Sequence, residues 1–282
     1  MPVALLPDRA LVCVTGPDAA ALLQGVLTCN VETLQAGEAR LGALLAPQGK
    51  ILFDFLVSRR PDGFRFDVQA DRAADLAKRL TLYRLRAQVT IAADPTVAVA
   101  AVWDGAAPAA AEAVADSRHV ALGARLYAEA GAFSADAAAS DYHAHRIALG
   151  IPEGGRDYAF GDAFPHEALM DQFGGVDFKK GCYVGQEVVS RMQHRGTART
   201  RILAAAYPEG APEAGTEITA GGKVLGTTGS VADGRGLALV RIDRLGDALA
   251  AGETPRAADH PVRLTRPDYA TFPMPEAASA AG

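Results

Sequence analysis

The chain has 282 residues, of which 49% are hydrophobic and 22% are charged, and its formal net charge is -5. This length and composition are typical of a globular protein with two or three domains. An acidic chain gives no global reason to expect a nucleic acid or an anionic membrane as partner. The N-terminal residues show no basic region before an apolar run, and no stretch reaches the roughly 18 apolar residues of a membrane span. We therefore expect a cytoplasmic protein with no nucleic-acid and no membrane partner.

The three cysteines, Cys13, Cys29 and Cys182, are scattered along the chain. They are too few for a disulfide framework and lack the Cys-x-x-Cys spacing of a metal site, so we expect reduced thiols and no bound metal. Cys13 lies in the apolar run 11–14, which predicts a core position. Cys29 follows a predicted helix, and nothing near it in sequence would activate its thiol.

The first elements of the chain combine helix and hairpin patterns. The apolar stripe that follows Gly16-Pro17-Asp18 and ends at Leu27 is typical of a short helix with proline at its start. A turn at Pro47-Gln48-Gly49-Lys50 separates two predicted strands, 40–46 and 51–58. Antiparallel strands next to helices indicate an α+β arrangement.

The following elements continue this arrangement. Residues 64–68 alternate between apolar and polar side chains, which predicts a strand with one core face and one solvent face. A helix capped by Asp71 comes next, and 96–103 has the pattern of another strand. The alanine-rich stretch 106–115 is consistent with either a helix or a linker.

Beyond Arg201, short apolar segments alternate with glycine-rich turns, which favours a small antiparallel barrel or sandwich. The predicted strands cover residues 202–207, 217–219, 223–225, 227–231, 236–242 and 262–265. The fold class is therefore α+β. We predict an α+β region over 1–198 with two subdomains that meet near residue 95, a C-terminal antiparallel β-barrel over 199–272, and a disordered tail over 273–282.

Cys182 is the residue that its local sequence singles out. A thiolate is favoured beside cations and at helix N-termini, and it is disfavoured in apolar cores. Glycines at 181 and 185 permit sharp turns, and a helix is predicted to begin at Gln186. The charged neighbours are mostly cations: Lys179, Lys180, Arg191, Arg195, Arg199 and Arg201, against Asp177 and Glu187. From these residues alone, a reactive thiol and a small buried cysteine are equally good interpretations.

Asp54 is the single carboxylate in the apolar strand 51–57. A strand with two apolar faces is central in its sheet, so this carboxylate is predicted to be at least partly buried. A buried carboxylate needs a partner or a ligand. An ion pair with Arg40 or Arg59 and a role in binding a substrate amine are equally consistent with the sequence.

The histidines offer a weaker hypothesis. On a strand, His143 and His145 would share a face, and together with His166 and His194 they would provide a metal set or a base for Cys182. No acidic partner recurs at a zinc-ligand spacing, and the His-Glu-x-x-His pattern does not occur. Surface and packing roles are therefore favoured over a cysteine hydrolase or acyltransferase.

The segment Lys180-Gly181-Cys182-Tyr183-Val184-Gly185-Gln186-Glu187, which continues through Arg191 and Arg195-Gly196, resembles the signature of the YgfZ-type folate-binding proteins. These proteins are relatives of the glycine-cleavage aminomethyltransferase, or T-protein. Further matching segments are Leu22 to Val31, Gly49 to Leu52, Tyr83 to Arg86, Arg146 with Gly150 to Pro152, and Gly236 to Leu239. The resemblance thus covers nearly the whole chain.

The resemblance implies an aminomethyltransferase-like fold whose α+β subdomains bind tetrahydrofolate and whose C-terminal end is a β-barrel. It also implies a role in assembling or repairing iron-sulfur clusters, with iron-sulfur client or assembly proteins as partners and with Cys182 as the reactive residue. By match to the motif, the predicted folate contacts are Asp54, Lys180, Tyr183, Gln186, Glu187, Arg191 and Arg195.

One departure keeps an alternative function open. Aminomethyltransferases carry two acids in the strand that corresponds to 49–57, and the second acid binds folate and the reacting amine. Here Phe53 replaces the first acid, while Asp54 matches the second. A folate-dependent aminomethyl or one-carbon transferase is therefore the alternative. An accessory factor is favoured because a cysteine motif replaces the transferase pattern, and a lone thiolate holds a cluster only together with ligands from a partner.

Overall fold

The computed structural model describes residues 2–105, 111–132 and 134–274. The chain divides into two compact units, and each unit is discontinuous in sequence. The first unit comprises Met1–Tyr142 and Phe173–Ser190, and the second comprises His143–Gln172 and Arg191–Gly282.

Two of the predicted segments lie partly outside the described residues. These are 106–110 of the alanine-rich stretch and 275–282 of the tail. The rest of the alanine-rich stretch enters a strand at Glu112–Asp116, so the expectation of a helix or a linker is wrong for that part. The proposed boundaries near residues 95 and 198 stay predictions.

The first unit is built on one large sheet. Its strands are β1 (Val3–Leu5), β2 (Arg9–Thr15), β3 (Glu38–Leu45), β4 (Ile51–Arg60), β5 (Gly63–Gln69), β6 (Thr90–Asp94), β7 (Val97–Val102), β8 (Glu112–Asp116) and β9 (Ala124–Glu129). Their order is β1-β7-β9-β8-β3-β4-β5-β2-β6. Neighbouring strands are antiparallel except for the parallel pair β3 and β8. The hairpin predicted around residues 47–50 is confirmed as β3 and β4.

Two helices, α1 (Ala19–Val26) and α2 (Ala73–Arg84), pack on one face of this sheet. Each helix buries residues that recur at helical spacing: Ala19, Leu23 and Val26 from α1, and Ala73, Leu76 and Leu80 from α2. The core that they share with the sheet includes Val12, Val14, Phe53, Phe55, Phe64 and Phe66. This apolar face agrees with the predicted period-two pattern. A 3-10 turn at Ala70–Arg72 leads into α2.

The opposite face of β5 is buried, so the expectation that it faces solvent is wrong. Arg65 and Asp67 are buried. The guanidinium of Arg65 donates to both carboxylate oxygens of Glu112 at 2.9 and 2.7 Å and lies 3.7 Å from the centre of the Tyr127 ring. Asp67 accepts from Arg9 at 2.6 Å. Side chains from β8 and β9 cover these polar residues, which is why their alternation does not indicate exposure.

The second unit contains a seven-stranded antiparallel sheet. Its strands are β10 (Thr200–Ala206), β11 (Glu217–Ala220), β12 (Lys223–Ala232), β13 (Arg235–Arg241), β14 (Arg256–Ala257), β15 (His260–Pro261) and β16 (Arg263–Thr265), in the order β15-β14-β11-β12-β13-β10-β16. The two edge strands, β15 and β16, are separated in the chain by Val262 alone. The sheet therefore curls until its edges approach each other, as a barrel does.

Three helices complete the chain: α3 (Ala139–Ala148), α4 (Gln186–Arg195) and α5 (Ile242–Ala250). The start of α4 at Gln186 confirms the prediction. His143 and His145 lie on α3, so the strand considered for them is wrong, and α5 was not predicted. Within the described residues, no helix is both long and apolar enough to cross a membrane. A second 3-10 turn covers Val120–Leu122.

Candidate functional site

Cys182 lies in an irregular segment that leads into α4 within the first unit. Its thiol is exposed, and Gly181 before it is exposed as well. Among the described residues, no hydrogen-bond partner of Cys182 is found. The segment is therefore held in place by the residues on either side of the cysteine.

On the N-terminal side, the segment is tied to the loop after α1. Thr28 donates from its hydroxyl to the carbonyl of Gly175 at 2.6 Å, and its own carbonyl accepts from the amide of Asp177 at 2.9 Å. The Asp177 carboxylate accepts from the Asn30 side chain at 3.0 Å and from the amide of Lys179 at 2.7 Å. Burial raises the pKa of Asp177, but these hydrogen bonds outweigh it and the pKa is lowered.

Lys180 is the deepest anchor of the segment. Its ammonium group is buried and donates to the carbonyls of Leu27 at 2.6 Å and Cys29 at 2.9 Å. It also lies 5.4 Å from the centre of the Tyr183 ring, which is within cation-π range. Burial lowers the pKa of Lys180, because removal from water penalises the charged form. The predicted folate contact is thus engaged by the protein's own backbone.

Tyr183 follows the cysteine and points into the protein. Its side chain is buried, and burial raises the pKa of its phenol to about 12. Within the described part of the chain, the phenol oxygen has no hydrogen-bond partner. A buried hydroxyl without a partner is costly, so this group is a candidate for binding a ligand or an ordered water.

On the C-terminal side, Gly185 packs against the turn between β3 and β4. It has φ +80°, and a Cβ built on it would lie 2.5 Å from the carbonyl oxygen of Ala46. Gly49, in the same turn, would place a Cβ 3.1 Å from Cβ of Val188 on α4. Two glycines therefore allow the turn and the start of α4 to approach closely, which fixes the C-terminal end of the cysteine segment.

The other two cysteines have different surroundings. Cys29 is fully buried, and burial raises the pKa of its thiol to about 11. A Cβ at Gly42 would lie 2.5 Å from its sulfur, so the thiol fills a tight space over β3. Cys13 on β2 is half-buried rather than in the core as predicted, and burial raises its pKa. Cys182 is therefore the one fully accessible thiol of the three.

Asp54 lies on β4 opposite Ala43 of β3 and is 6% exposed. The predicted burial of this carboxylate is confirmed. The two arginines considered as its partners are engaged elsewhere, since Arg40 pairs with Glu38 and Arg59 donates to the carbonyls of Leu34 and Val31. The strand thus presents a carboxylate in the interior of the first unit, on the element where the resemblance places folate recognition.

The remaining predicted contacts lie along α4. Gln186 is half-buried at its first position, whereas Glu187, Arg191 and Arg195 are exposed. Arg191 and Arg195 belong to the second unit, whereas Cys182 and Asp54 belong to the first.

The histidines give no support to a hydrolase. His166 is buried with its Nε2 2.9 Å from the amide oxygen of Gln193, and burial lowers its pKa. His143 and His145 lie on α3. His194 lies in the last turn of α4, eight residues or roughly 12 Å of helix beyond Gln186. Among the described residues, no cluster of three potential metal ligands occurs.

Sequence reasoning missed the residues that hold the segment, namely Thr28, Asn30 and Asp177. Their partners are separated from them by 147 residues in the chain. The one available signal was that the Thr28-Cys29-Asn30 run belongs to a segment that matches the family, although no role was attached to it.

The fold places the protein in a known class. The crystal structure of glycine cleavage system aminomethyltransferase T from Bartonella henselae aligns with a TM-score of 0.75, covering 97% of this chain and 87% of that chain at 13% sequence identity. Residues 199–272 match the family described as CAF17, C-terminal beta-barrel domain. The predicted α+β, aminomethyltransferase-like fold with a C-terminal antiparallel β-barrel is confirmed.

Sequence relatives give the family. The protein of Neurospora crassa named "Iron-sulfur cluster assembly factor IBA57 homolog, mitochondrial" is 36% identical over 238 residues, which are 73% of this chain and 54% of the relative. The human protein named "Iron-sulfur cluster assembly factor IBA57, mitochondrial" is 32% identical over 277 residues, covering 85% of this chain and 77% of the relative. The chain therefore belongs to the IBA57 family of iron-sulfur cluster assembly factors.

These relatives also correct one expectation. Both are named as mitochondrial proteins, which contradicts the predicted cytoplasmic location. The chain spans about half the length of the Neurospora crassa relative, at 54%. The narrower assignment to the YgfZ type stays a prediction.

Proposed function

We propose that this protein acts in the assembly or repair of iron-sulfur clusters and that Cys182 is its working thiol. The observation that supports the proposal is the difference in solvent exposure among the three cysteines. The chain belongs to a family of cluster assembly factors, and its motif cysteine, Cys182, is exposed, whereas Cys29 is buried and Cys13 is half-buried. A thiol must be reachable by a partner protein to contribute to a cluster.

The proposed chemistry is a shared ligand. On binding, the Cys182 thiol gives up its proton to solvent, and the resulting thiolate occupies one iron position of a cluster. Iron-sulfur clusters take four protein ligands, and a single thiolate supplies one, so the other ligands come from a partner protein. This arrangement is suited to transfer, because a cluster held partly by each protein is released more easily than one held entirely by one.

We also propose tetrahydrofolate as a ligand. The residues that support it are the buried phenol of Tyr183, which has no partner in the described part of the chain, and the buried carboxylate of Asp54. Gln186, in the same unit, is accessible enough to contribute. Two backbone carbonyls occupy the ammonium group of Lys180, so at most one of its three N–H donors is available to a ligand. Reduced folates carry one-carbon units, which is the chemistry of the transferase alternative.

Complementation tests the role of the thiol. Cells that lack their own mitochondrial relative are given wild type, Cys182→Ser, or the matched control Cys13→Ser, and the activity of an iron-sulfur dehydratase is measured in extracts. Wild type and the Cys13 variant are expected to restore activity, and the Cys182 variant is expected to fail at equal protein level. Full rescue by Cys182→Ser would show that the thiol is not required.

Folate binding is tested separately on purified protein with 5-formyltetrahydrofolate as the probe. Tyr183→Phe and Asp54→Asn are expected to weaken binding about tenfold each, since the first removes a buried hydroxyl and the second removes a buried negative charge. Cys182→Ser is expected to bind like wild type. Formation of methylenetetrahydrofolate from a lipoyl-bound aminomethyl donor would instead favour the transferase alternative.

A further inference from the structure

A groove lies between α2 and the start of β4 in the first unit, with a volume of about 360 Å³. Its apolar wall is formed by Leu52 and Phe53 from β4 and Leu82 from α2. Arg72 fixes one end, because its guanidinium donates to the carbonyl of Leu52 at 3.2 Å and lies 4.9 Å from the centre of the Phe53 ring. The groove is therefore a formed feature of the surface.

The rim of this groove carries cations that the protein does not neutralise. Lys78 and Arg79 line it together with a single acid, Asp75. Within the described ranges, neither Lys78 nor Arg79 has an ion pair or a hydrogen bond from its side chain, and the same holds for Arg84, the last residue of α2, and for Arg86 beyond it. Several cations elsewhere in the first unit form ion pairs, namely Arg9 with Asp67, Arg65 with Glu112 and Arg118 with Asp116.

Two leucines project from the same end of α2. Leu82 is 63% exposed, and Leu85, at the C-cap, is 87% exposed. Leu85 also has φ +47°, a left-handed conformation that is unfavourable for a residue with a Cβ. An exposed apolar pair beside an apolar groove is typical of a surface that another protein covers.

We propose that this α2–β4 groove is the docking site for an acidic, amphipathic segment of a partner protein. The leucine side chains of such a segment enter the groove beside Leu82, and its carboxylates lie against Lys78 and Arg79. Charge complementarity selects the acidic partner. The net charge of -5 for the whole chain disfavours the extended anionic surface of a nucleic acid or a membrane, whereas a short acidic segment meets the local cations alone.

The position of the groove relates it to the cysteine segment. The turn that packs against Gly185 and Val188 leads directly into β4, which begins at Ile51 and forms one wall of the groove. A partner docked there is held on the same unit as Cys182. The inference itself does not depend on the role of the thiol, since it rests on the groove, its cations and its leucines.

Anisotropy titrations with three fluorescein-labelled peptides of equal length test the proposal. The first has glutamates and leucines at amphipathic helical spacing, the second has lysine for every glutamate, and the third has alanine for every leucine. We expect the first to bind about tenfold more tightly than either of the others. Failure of the first peptide to bind by ~1 mM, or equal binding of the second or third, would overturn the proposal.

Variants locate the binding. Lys78→Glu with Arg79→Glu is expected to weaken binding of the first peptide about tenfold, because it reverses the charge of the rim. The matched control, Arg235→Glu with Arg263→Glu, makes the same change in net charge at exposed positions of the barrel and is expected to bind like wild type. Leu82→Ser tests the apolar contact without altering charge, and it should also weaken binding. Equal weakening by the control pair would contradict the assignment to this groove.

Two further probes separate the classes of partner. Duplex DNA and phosphatidylserine vesicles are titrated with wild type and with the Lys78 and Arg79 variant. Weak binding that is the same for both proteins supports the proposal. Binding tighter than that of the acidic peptide, and lost in the variant, would assign the groove to a nucleic acid or a membrane instead.

Discussion

Cys29 and Cys182 lie in neighbouring segments of the same unit, yet their surroundings are opposite. Cys29 lies near the start of the loop between α1 and β3, is fully buried and packs with its sulfur against Gly42. Cys182 is exposed in a segment that is fastened before and after it. Lys180 links the two, because its ammonium group holds the carbonyl of Cys29 while its chain leads into Cys182. The comparison shows that solvent exposure, rather than nearby charge, distinguishes Cys182, the thiol proposed to act in cluster assembly, from the buried Cys29.

The largest expected effect is a difference in the rate of alkylation. In the folded protein, we expect the single-cysteine variant that keeps Cys182 to react with iodoacetamide on the order of 1000-fold faster than the variant that keeps Cys29, because a buried thiol reacts only after the structure opens. Mass spectrometry of quenched samples measures both rates. If the two variants were alkylated at similar rates in the folded protein and at equal rates in the unfolded protein, the proposed difference in exposure between Cys182 and Cys29 would be wrong.

Lys180→Met should have the next largest effect, a loss of about 4 kcal/mol in the free energy of unfolding, since two buried carbonyls lose their donor. Urea denaturation measures this loss. The control is Lys179→Met, because Lys179 is exposed and its replacement is expected to cost less than about 0.5 kcal/mol. A small loss for both variants would mean that Lys180 is not the anchor between the cysteines.

Gly185→Ala should destabilise the protein by about 3 kcal/mol. The left-handed backbone is unfavourable for alanine, and the added Cβ would meet the carbonyl of Ala46 at 2.5 Å. Gly181→Ala is the matched control, since a Cβ there meets nothing within 4 Å. Thermal unfolding compares the two variants. Equal melting temperatures would contradict a tight contact at the C-terminal end of the segment.

The smallest expected effect is a pH dependence that belongs to Cys29. Its pKa is raised from 9.0 to about 11 in the folded state, so its contribution to stability is complete below pH 9 and is lost as the unfolded thiol ionises between pH 9 and 11. At about 1.4 kcal/mol for each pH unit, the difference in stability between wild type and Cys29→Ala should shrink by about 2 to 3 kcal/mol. Denaturation series at pH 8, 10 and 11 measure it, and a constant difference would disprove the burial of this thiol.

The features that were predicted from sequence are those set by local pattern. The burial of Asp54 followed from the apolar residues on both sides of its strand, and the start of α4 at Gln186 followed from the glycine before it. The barrel followed from short strands separated by glycine turns.

The features that were not predicted depend on contacts that are distant in sequence. The hydrogen bonds that anchor Lys180 were not predicted, because its carbonyl partners, Leu27 and Cys29, lie 153 and 151 residues away in the chain. Arg65 and Asp67 were assigned to a solvent face because alternation reports the polarity of a strand face, whereas β8 and β9 determine whether that face is covered. The helix that carries His143 and His145 was missed for a related reason. The sequence of a short polar segment does not by itself determine whether the segment forms a helix or a strand.

The exposure of Cys182 has a practical consequence for distance measurement. Once Cys13 and Cys29 are replaced, Cys182 becomes a native attachment point for a nitroxide or a fluorophore, and no cysteine has to be introduced. Because its segment is fastened at Lys180 and at Gly185, the attached probe reports from a backbone of restricted position. With a second label on a bound peptide, the distance between the two labels would show where the peptide binds on the first unit.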